Sequence, residues 1–122
     1  AAYELKTQCP HKSFVVLEAM EDYGGTWRCH KYPGVRSDSD LFTFGYRFKP
    51  WKGDPIASGD QILGYLGEVI EENDLAGHIH YDSHISSADW DSETHCWTLA
   101  VTNRKTGTRY RQTCNFLWMC QG

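Results

Sequence analysis

The hydrophobic period of this chain changes near residue 78, and that change limits the folds it can adopt. Upstream, "SGDQILGYLGEVIEENDLAG" (58–77) spaces its apolar residues three and four apart, as a helix with one buried face does. Downstream, apolar and polar residues alternate, which predicts strands at 78–81, 84–91, 96–103 and 108–115. The turn sequences "DSET" and "NRKTG" separate the last three, so we predict an antiparallel β-meander.

The helix at 58–77 carries its own start and stop signals. Ser58 or Asp60 can cap its first turn, and Gly77 can end it. Its predicted apolar face consists of Ile62, Leu63, Leu66, Val69 and Ile70.

Two short apolar runs lie outside the alternating region. "SFVVLEAM" (13–20) and "FLWMC" (116–120) have the pattern of strands buried on both faces in a parallel sheet. Residues 1–8 are predicted to form a helix that ends before Cys9-Pro10, and 41–51 is predicted to be irregular or weakly extended. The fold class is therefore α/β, with a parallel sheet and a meander in one domain over residues 1–122.

Composition argues against several classes of function. The net charge is −4 and we find no basic run, so a nucleic-acid partner is not expected. No apolar run reaches the ~20 residues that span a bilayer, so no transmembrane segment is expected. The five cysteines are irregularly spaced without a C-x-x-C pair, which favours reduced thiols in a cytoplasmic protein.

The stretch "GGTWRCHKYPGVRSDSD" (24–40) combines features that a mere connector rarely needs together. Gly24 and Gly25 permit positive φ and a close backbone approach, and Trp27 offers a flat apolar face. "YPG" (32–34) has the chemistry of a tight turn, and "SD" (37–38) can hydrogen-bond locally. We interpret this stretch as a loop that lines a ligand.

Glu18 follows the apolar run "FVVL", at the position where dinucleotide-binding folds place the carboxylate that holds a ribose. Its two oxygens could accept both protons of a diol. The accompanying G-x-G-x-x-G motif is missing, since no two glycines of this chain are two residues apart.

The run "LEAMEDYGGTWRCHKYPGVRSDSDLFTFGYRFKPW" (17–51) resembles flavin-dependent monooxygenases of the Baeyer–Villiger type, most of all the ethionamide-activating group of mycobacteria. "AAYELKTQCP" resembles the helix after the glycine motif of that family, and "ISSADW" and "FLWMCQG" resemble its later strands. The resemblance implies a truncated Rossmann-like FAD-binding domain whose parallel sheet lacks its first strand. The glycine motif would lie upstream and the NADPH domain downstream of residues 1–122.

The resemblance also implies roles for individual residues. Glu18 would hold the FAD ribose, and Ile85 would contact the adenine through its backbone. The residues that would line the flavin and its pyrophosphate are Gly25, Thr26, Trp27, Arg28 and Cys29. Those near the nicotinamide of NADPH would be Arg36, Ser37 and Asp38. Asp38 would also lie beside the flavin ring, as the catalytic residue with an electrostatic role.

The implied activity requires FAD, NADPH and O₂, and inserts one oxygen into a small-molecule ketone or oxidises a soft sulfur centre. This chain alone is expected to be inactive. The alternative is a flavin monooxygenase of the N- or S-oxidising class, in which the resemblance implies an amide at the position of Asp38.

Two further alternatives come from the residues themselves. His78, His80 and His84 with Asp82 could form a metal site, although strand histidines are more often exposed or hydrogen-bonded. The many aromatic residues could also form the surface of a binding module without enzymatic activity.

Overall fold

The computed structural model describes residues 1–121 and contains both helices and strands. The helices are α1 (Ala2–Gln8), α2 (Thr26–Cys29), α3 (Leu41–Phe44) and α4 (Gly59–Glu72), followed by a 3₁₀ turn at Ala76–His78. The strands are β1 (Val16–Leu17), β2 (Ile79–His80), β3 (Ser83–Asp91), β4 (Cys96–Asn103) and β5 (Arg109–Cys114). Among the described residues, no helix is both long and apolar enough to cross a membrane.

The chain divides into two compact units. The sheet unit consists of Ala1–Asp22 and the chain from Gly77 onward, and the helical unit consists of Tyr23–Ala76. All five strands lie in the sheet unit, whereas α2, α3 and α4 lie in the helical unit.

The sheet unit contains a parallel pair and an antiparallel meander. β1 and β2 run parallel, with Val16 opposite Ile79 and Leu17 opposite His80. β3, β4 and β5 form a three-stranded antiparallel sheet in that order, which confirms the predicted meander. Leu99 and Val101 of β4 are buried, because the central strand of the meander has a neighbour on each side.

The two predicted buried strands of the parallel sheet are largely wrong. In 13–20 only Val16–Leu17 is a strand, and it is half-buried. The segment 116–120 is not a strand, and its Phe116 and Trp118 side chains are 77% and 56% exposed. A parallel strand needs hydrogen-bonded neighbours and a cover on both faces, and within the described chain β1 pairs only with β2.

The predicted helix at 58–77 is confirmed at its start and is too long at its end. Ser58 and Gln61 form a reciprocal capping box before α4. The helix ends at Glu72 rather than at Gly77, because Asn73 caps it by donating from Nδ2 to the Val69 carbonyl at 2.8 Å.

The buried side of α4 faces the core of the helical unit. Ile62, Tyr65 and Val69 are buried, whereas Leu63, Leu66 and Ile70 of the predicted face are only half-buried. Tyr65 joins this face because its hydroxyl donates to a carbonyl, that of Lys49, at 2.6 Å. The core itself consists of Leu41, Ala57 and Ile62, with Trp27, Trp51 and Leu66 packed against it.

The segment 41–51 begins with a helical turn that the sequence prediction missed. Asp40 caps α3, since its carboxylate accepts a hydrogen bond from the Thr43 amide at 2.9 Å. The turn buries Leu41 completely. The remainder of the segment forms no regular structure, as predicted.

Candidate functional site

The glycine pair of the helical unit adopts conformations that other residues avoid. Gly24 has a φ of +119°, and Gly25 has φ +49° and ψ −119°. Their carbonyls accept from the amides of Trp27 and Arg28 at 3.0 and 3.1 Å, which turns the chain into α2. A Cβ at Gly24 would lie 2.3 Å from Cδ2 of Leu63, whereas one at Gly25 would meet no atom within 4 Å. Gly25 therefore presents exposed backbone, as a ligand-lining loop requires.

The predicted flavin-lining residues of α2 divide by exposure. Trp27 is half-buried and packs against the core of the helical unit, with its ring edge-on to Phe44 at 6.3 Å. Thr26 and Cys29 are exposed. The turn into α2 therefore exposes backbone and side chains, while Trp27 packs against the core of the helical unit.

Arg28 is held by the residue that precedes the glycine pair. Its Nε donates to the Tyr23 carbonyl. Its guanidinium carbon lies 5.3 Å from the centre of the Tyr23 ring, a cation–π arrangement. Tyr23 thereby determines the direction of the Arg28 side chain.

The predicted tight turn at 32–34 is confirmed. The Val35 amide donates to the Tyr32 carbonyl at 3.2 Å, and Gly34 has φ +79°. A positive φ at the third residue of the turn, directly after Tyr32-Pro33, is the geometry that favours glycine in a type II turn. This turn leads the chain from α2 towards residues 36–38.

Ser37 is a structural anchor between two exposed charges. Its amide donates to the Ala57 carbonyl at 3.0 Å, and its buried hydroxyl donates to the Ser39 carbonyl at 2.8 Å. Arg36 and Asp38, on either side of it, are exposed. The structure therefore brings Arg36 and Asp38 to the surface of the helical unit, while the Ser37 hydroxyl is used within the loop.

Glu18 lies at the carboxyl end of the parallel pair in the sheet unit. Its amide donates to the His80 carbonyl at 3.0 Å, and its own carbonyl accepts from Ser83 at 2.7 Å. The Met20 amide donates to Oε1 at 2.8 Å. No described residue donates to Oε2, so one oxygen of a half-buried carboxylate remains for a ligand hydroxyl. Open α/β sheets bind ligands at this end of their strands.

Ile85 lies in β3 next to a β-bulge. It pairs with Val101, and the register shifts between Ile85 and Ser87. Bulges redirect a strand and expose backbone groups locally. The Ile85 side chain is 36% exposed, and β3 is an edge strand of the meander.

A cleft of mixed charge in the sheet unit was missed by the sequence analysis. It has a volume of about 500 Å³. Its lining residues are Glu21, Asp22, Asp82, Arg104 and Lys105. The only sequence signal was the "RK" pair within "NRKTG", which we interpreted simply as a turn.

In the described part of the sheet unit, the histidines do not cluster as metal ligands. His78 lies in the 3₁₀ turn and stacks on Phe14, with ring centroids 4.2 Å apart. Within residues 1–121, no three His, Cys, Asp or Glu side chains come together in an arrangement that could hold a metal ion. The metal alternative therefore has no geometric support.

Several aromatic residues of the helical unit support its core. Tyr46 stacks on Tyr65, with ring centroids 5.8 Å apart, and the Tyr46 amide donates to the Tyr65 hydroxyl at 2.7 Å. Burial, with a smaller contribution from Tyr65, raises the pKa of Tyr46 above its usual value of 10.0. Phe42 and Phe44 of α3 remain 61% and 52% exposed. Exposed aromatic side chains, on which the alternative of a binding module depends, are therefore present on α3.

Comparison with known sequences finds relatives among the FAD-containing monooxygenases. No family model matches the chain. It is 43% identical over 122 residues to the FAD-containing monooxygenase EthA of Mycolicibacterium smegmatis, covering 99% of this chain and 24% of that protein. It is 44% identical over 124 residues to the probable FAD-binding monooxygenase AlmA of an Acinetobacter species, again covering 99% of this chain and 24% of the relative. The chain thus spans about a quarter of the length of these relatives.

Solved structures of monooxygenases share the fold of this chain. An oxidised steroid monooxygenase bound to NADP matches with a TM-score of 0.77 and 28% identity, over 90% of this chain and 21% of that one. OTEMO in complex with FAD and NADP matches with a TM-score of 0.77 and 24% identity, over 93% of this chain and 22% of that one.

The chain is therefore a relative of the FAD-containing monooxygenases, and its solved structural neighbours include Baeyer–Villiger monooxygenases. More particularly, it corresponds to about a quarter of proteins such as EthA and AlmA. The resemblance found in the sequence is confirmed.

Proposed function

We propose that this chain forms part of the FAD-binding region of an FAD- and NADPH-dependent monooxygenase. The observation that carries the proposal is the 43% identity to an FAD-containing monooxygenase over 99% of the chain. The exposed backbone of the positive-φ glycine pair and the carboxylate oxygen left for a hydroxyl after β1 support such a role.

The finer fold assignment is a truncated Rossmann-like domain over residues 1–122. The parallel β1–β2 pair with Glu18 at its carboxyl end supports this assignment. In this proposal the first strand of the sheet and the G-x-G-x-x-G turn belong to other parts of a longer protein. The glycine turn would bind the pyrophosphate at a helix N-terminus.

We assign the cofactor contacts to each unit separately. In the sheet unit, Glu18 accepts a ribose hydroxyl at Oε2, and Ile85 offers its backbone to the adenine. In the helical unit, the α2 turn lines the flavin and pyrophosphate with Gly25, Thr26, Trp27, Arg28 and Cys29. Arg36, Ser37 and Asp38 lie near the nicotinamide, with the Ser37 hydroxyl holding the loop rather than the ligand.

The residues present fit the cofactors chemically. Exposed backbone at Gly25 allows a planar group to approach closely, and the Arg28 cation suits a pyrophosphate. FAD, when bound and reduced by NADPH, supplies the oxygen-transfer chemistry. The exposed Asp38 carboxylate provides negative charge that orients a neighbouring cation and influences where a proton is held.

The proposed substrates are small carbonyl compounds or soft sulfur centres, with O₂ as the second substrate and a cytoplasmic location. The steroid monooxygenase and cyclohexanone monooxygenase among the structural neighbours support a Baeyer–Villiger reaction. An N- or S-oxidising monooxygenase remains the second candidate, and Asp38 in place of an amide favours the first.

The test is to express the full-length protein that contains this sequence, measure its bound flavin, and follow NADPH oxidation with a panel of ketones and thioethers. We expect stoichiometric FAD and substrate-dependent NADPH oxidation that requires O₂. The isolated chain serves as the inactive control. A folded full-length protein that binds no flavin would contradict the proposal.

A further inference from the structure

The carboxylate of Glu18 is oriented by its own turn. The Met20 amide donates to Oε1 at 2.8 Å, which closes a small ring between the side chain and the backbone two residues later. Such a ring restricts the side-chain torsions of the glutamate. The direction of Oε2 therefore depends on where the backbone of residues 18–20 is held.

That backbone is held from one side by the residues after β2. The Asp82 amide donates to the Met20 carbonyl at 2.8 Å, and the Ser83 amide donates to the Glu18 carbonyl at 2.7 Å. Asp82 adopts a φ of +56°, in the left-handed region that aspartate and asparagine tolerate better than most residues. This conformation lets two successive amides reach alternate carbonyls of the turn.

Arg104, in the turn between β4 and β5, makes further hydrogen bonds to Asp82 and to the turn at residues 18–20. Its amide donates to the Asp82 carbonyl at 2.7 Å. Its Nη1 donates to the Ala19 carbonyl at 3.4 Å. One residue of the meander thus binds both Asp82 and the turn that Asp82 supports.

We propose that Arg104 and Asp82 are positioning residues for the Glu18 carboxylate. The inference rests on the proposed function, in which Glu18 accepts a ribose hydroxyl of FAD. Arg104 acts at a distance from the ligand: it holds the carbonyl of Ala19, and the Met20 amide then holds Oε1 of Glu18. The β4–β5 turn thereby gains a role in cofactor affinity that its sequence does not reveal.

The test compares two charge-removing variants of neighbouring residues in the full-length protein. Arg104→Gln shortens the side chain that reaches Ala19. Lys105→Gln removes the same charge from the same cleft, and no hydrogen bond from the Lys105 side chain to the turn is found among the described residues. We expect Arg104→Gln to raise the Kd for FAD about 3- to 10-fold, the effect of one hydrogen bond, and Lys105→Gln to leave it within about twofold.

A double-mutant cycle separates positioning from a general effect on the fold. In a Glu18→Ala background, Arg104→Gln should no longer change the Kd for FAD. An equal loss of affinity with and without Glu18, or an equal effect of Lys105→Gln, would overturn the inference. If Glu18→Ala alone leaves the Kd for FAD unchanged, Glu18 has no part in the proposed function.

Hydrogen exchange supplies a measurement that does not need FAD. Arg104→Gln should speed amide exchange at Met20 and Asp82, while Lys105→Gln should not. Asp82→Val should speed the same exchange, because a β-branched residue is strained at positive φ, whereas Asp82→Asn should preserve it. Unchanged exchange in both Arg104→Gln and Asp82→Val would overturn the inference, whatever the role of Glu18.

Discussion

The hydroxyl of Tyr23 lies directly over Gly67 in the middle of α4. A Cβ at Gly67 would stand 2.4 Å from this hydroxyl and 3.1 Å from Cζ of the same ring. Tyr23 also carries the ring and carbonyl that hold Arg28. Gly67 lowers the helix propensity of α4, but it makes room for Tyr23. Tyr23 in turn orients Arg28, which we propose to bind the pyrophosphate.

We predict that Gly67→Ala destabilises the protein although alanine favours helices. Overpacking against Tyr23 costs about 1–3 kcal/mol, and the gain in helix propensity returns up to about 1 kcal/mol. Gly64→Ala, in the same helix with nothing within 4 Å of its Cβ position, is the matched control and should stabilise by about 0.5–1 kcal/mol. Urea unfolding measures both, and equal effects would contradict the close contact.

Gly25→Ala should cost stability for a different reason. The position is open, so the cost is conformational, about 1–3 kcal/mol for a side chain held at φ +49° and ψ −119°, a sparsely populated backbone region. Gly77→Ala, also open but without a positive φ, should be tolerated. Circular dichroism during thermal unfolding distinguishes them, and an unchanged midpoint for Gly25→Ala would show that this turn adopts another conformation.

The hairpin between β3 and β4 should depend on pH through Asp91. Hydrogen bonds from the Thr94 hydroxyl at 2.8 Å and from the Glu93 amide at 2.9 Å lower the pKa of Asp91 below its usual 3.8. A lowered folded-state pKa contributes stability above the unfolded value, and this stability is lost as the pH falls through the folded value. Asp91→Asn should therefore be less stable than wild type at neutral pH, and the difference should vanish in acid. A gap that stays constant down to strong acid would contradict this pKa shift.

The exposed apolar segment at 116–120 should make this chain of 122 residues associate at high concentration. Phe116 and Met119 are 77% and 62% exposed, and clustered apolar surface of this kind drives contact between copies. Sedimentation velocity in the presence of reductant should show concentration-dependent association, and Phe116→Ser with Trp118→Ser should reduce it. A monomer at all concentrations would show that the segment is covered in solution.

The elements that the sequence predicted well are those stabilised by local interactions. The meander follows from alternation and turn residues, and β4 begins and ends at the predicted residues, Cys96 and Asn103. The start of α4 follows from the capping box at Ser58. The positive φ of Gly24 and Gly25 follows from their lack of a Cβ.

The elements that the sequence predicted poorly depend on distant partners. An apolar run such as 116–120 becomes a buried strand only if a neighbouring strand and a cover exist. The Arg104 contact with Ala19 joins residues 85 positions apart, and no local pattern reports such a bond. The Ser37 amide likewise donates to the carbonyl of the distant Ala57, which "RSDSD" does not reveal, whereas the hydroxyl of Ser37 makes a local bond of the kind that was predicted.

The central claim is that this chain supplies residues of an FAD site, and the most direct test is to compare Glu18→Ala with Asp38→Ala in the full-length protein. Glu18→Ala should raise the Kd for FAD about tenfold or more, since it removes a hydrogen bond to a charged group, while the turnover of FAD-loaded enzyme stays similar. Asp38→Ala should change the Kd by no more than about twofold, yet uncouple NADPH consumption from product formation. Glu21→Ala, a nearby carboxylate in the mixed-charge cleft, is the control and should resemble wild type. Unchanged FAD affinity in Glu18→Ala, together with wild-type coupling in Asp38→Ala, would contradict the account.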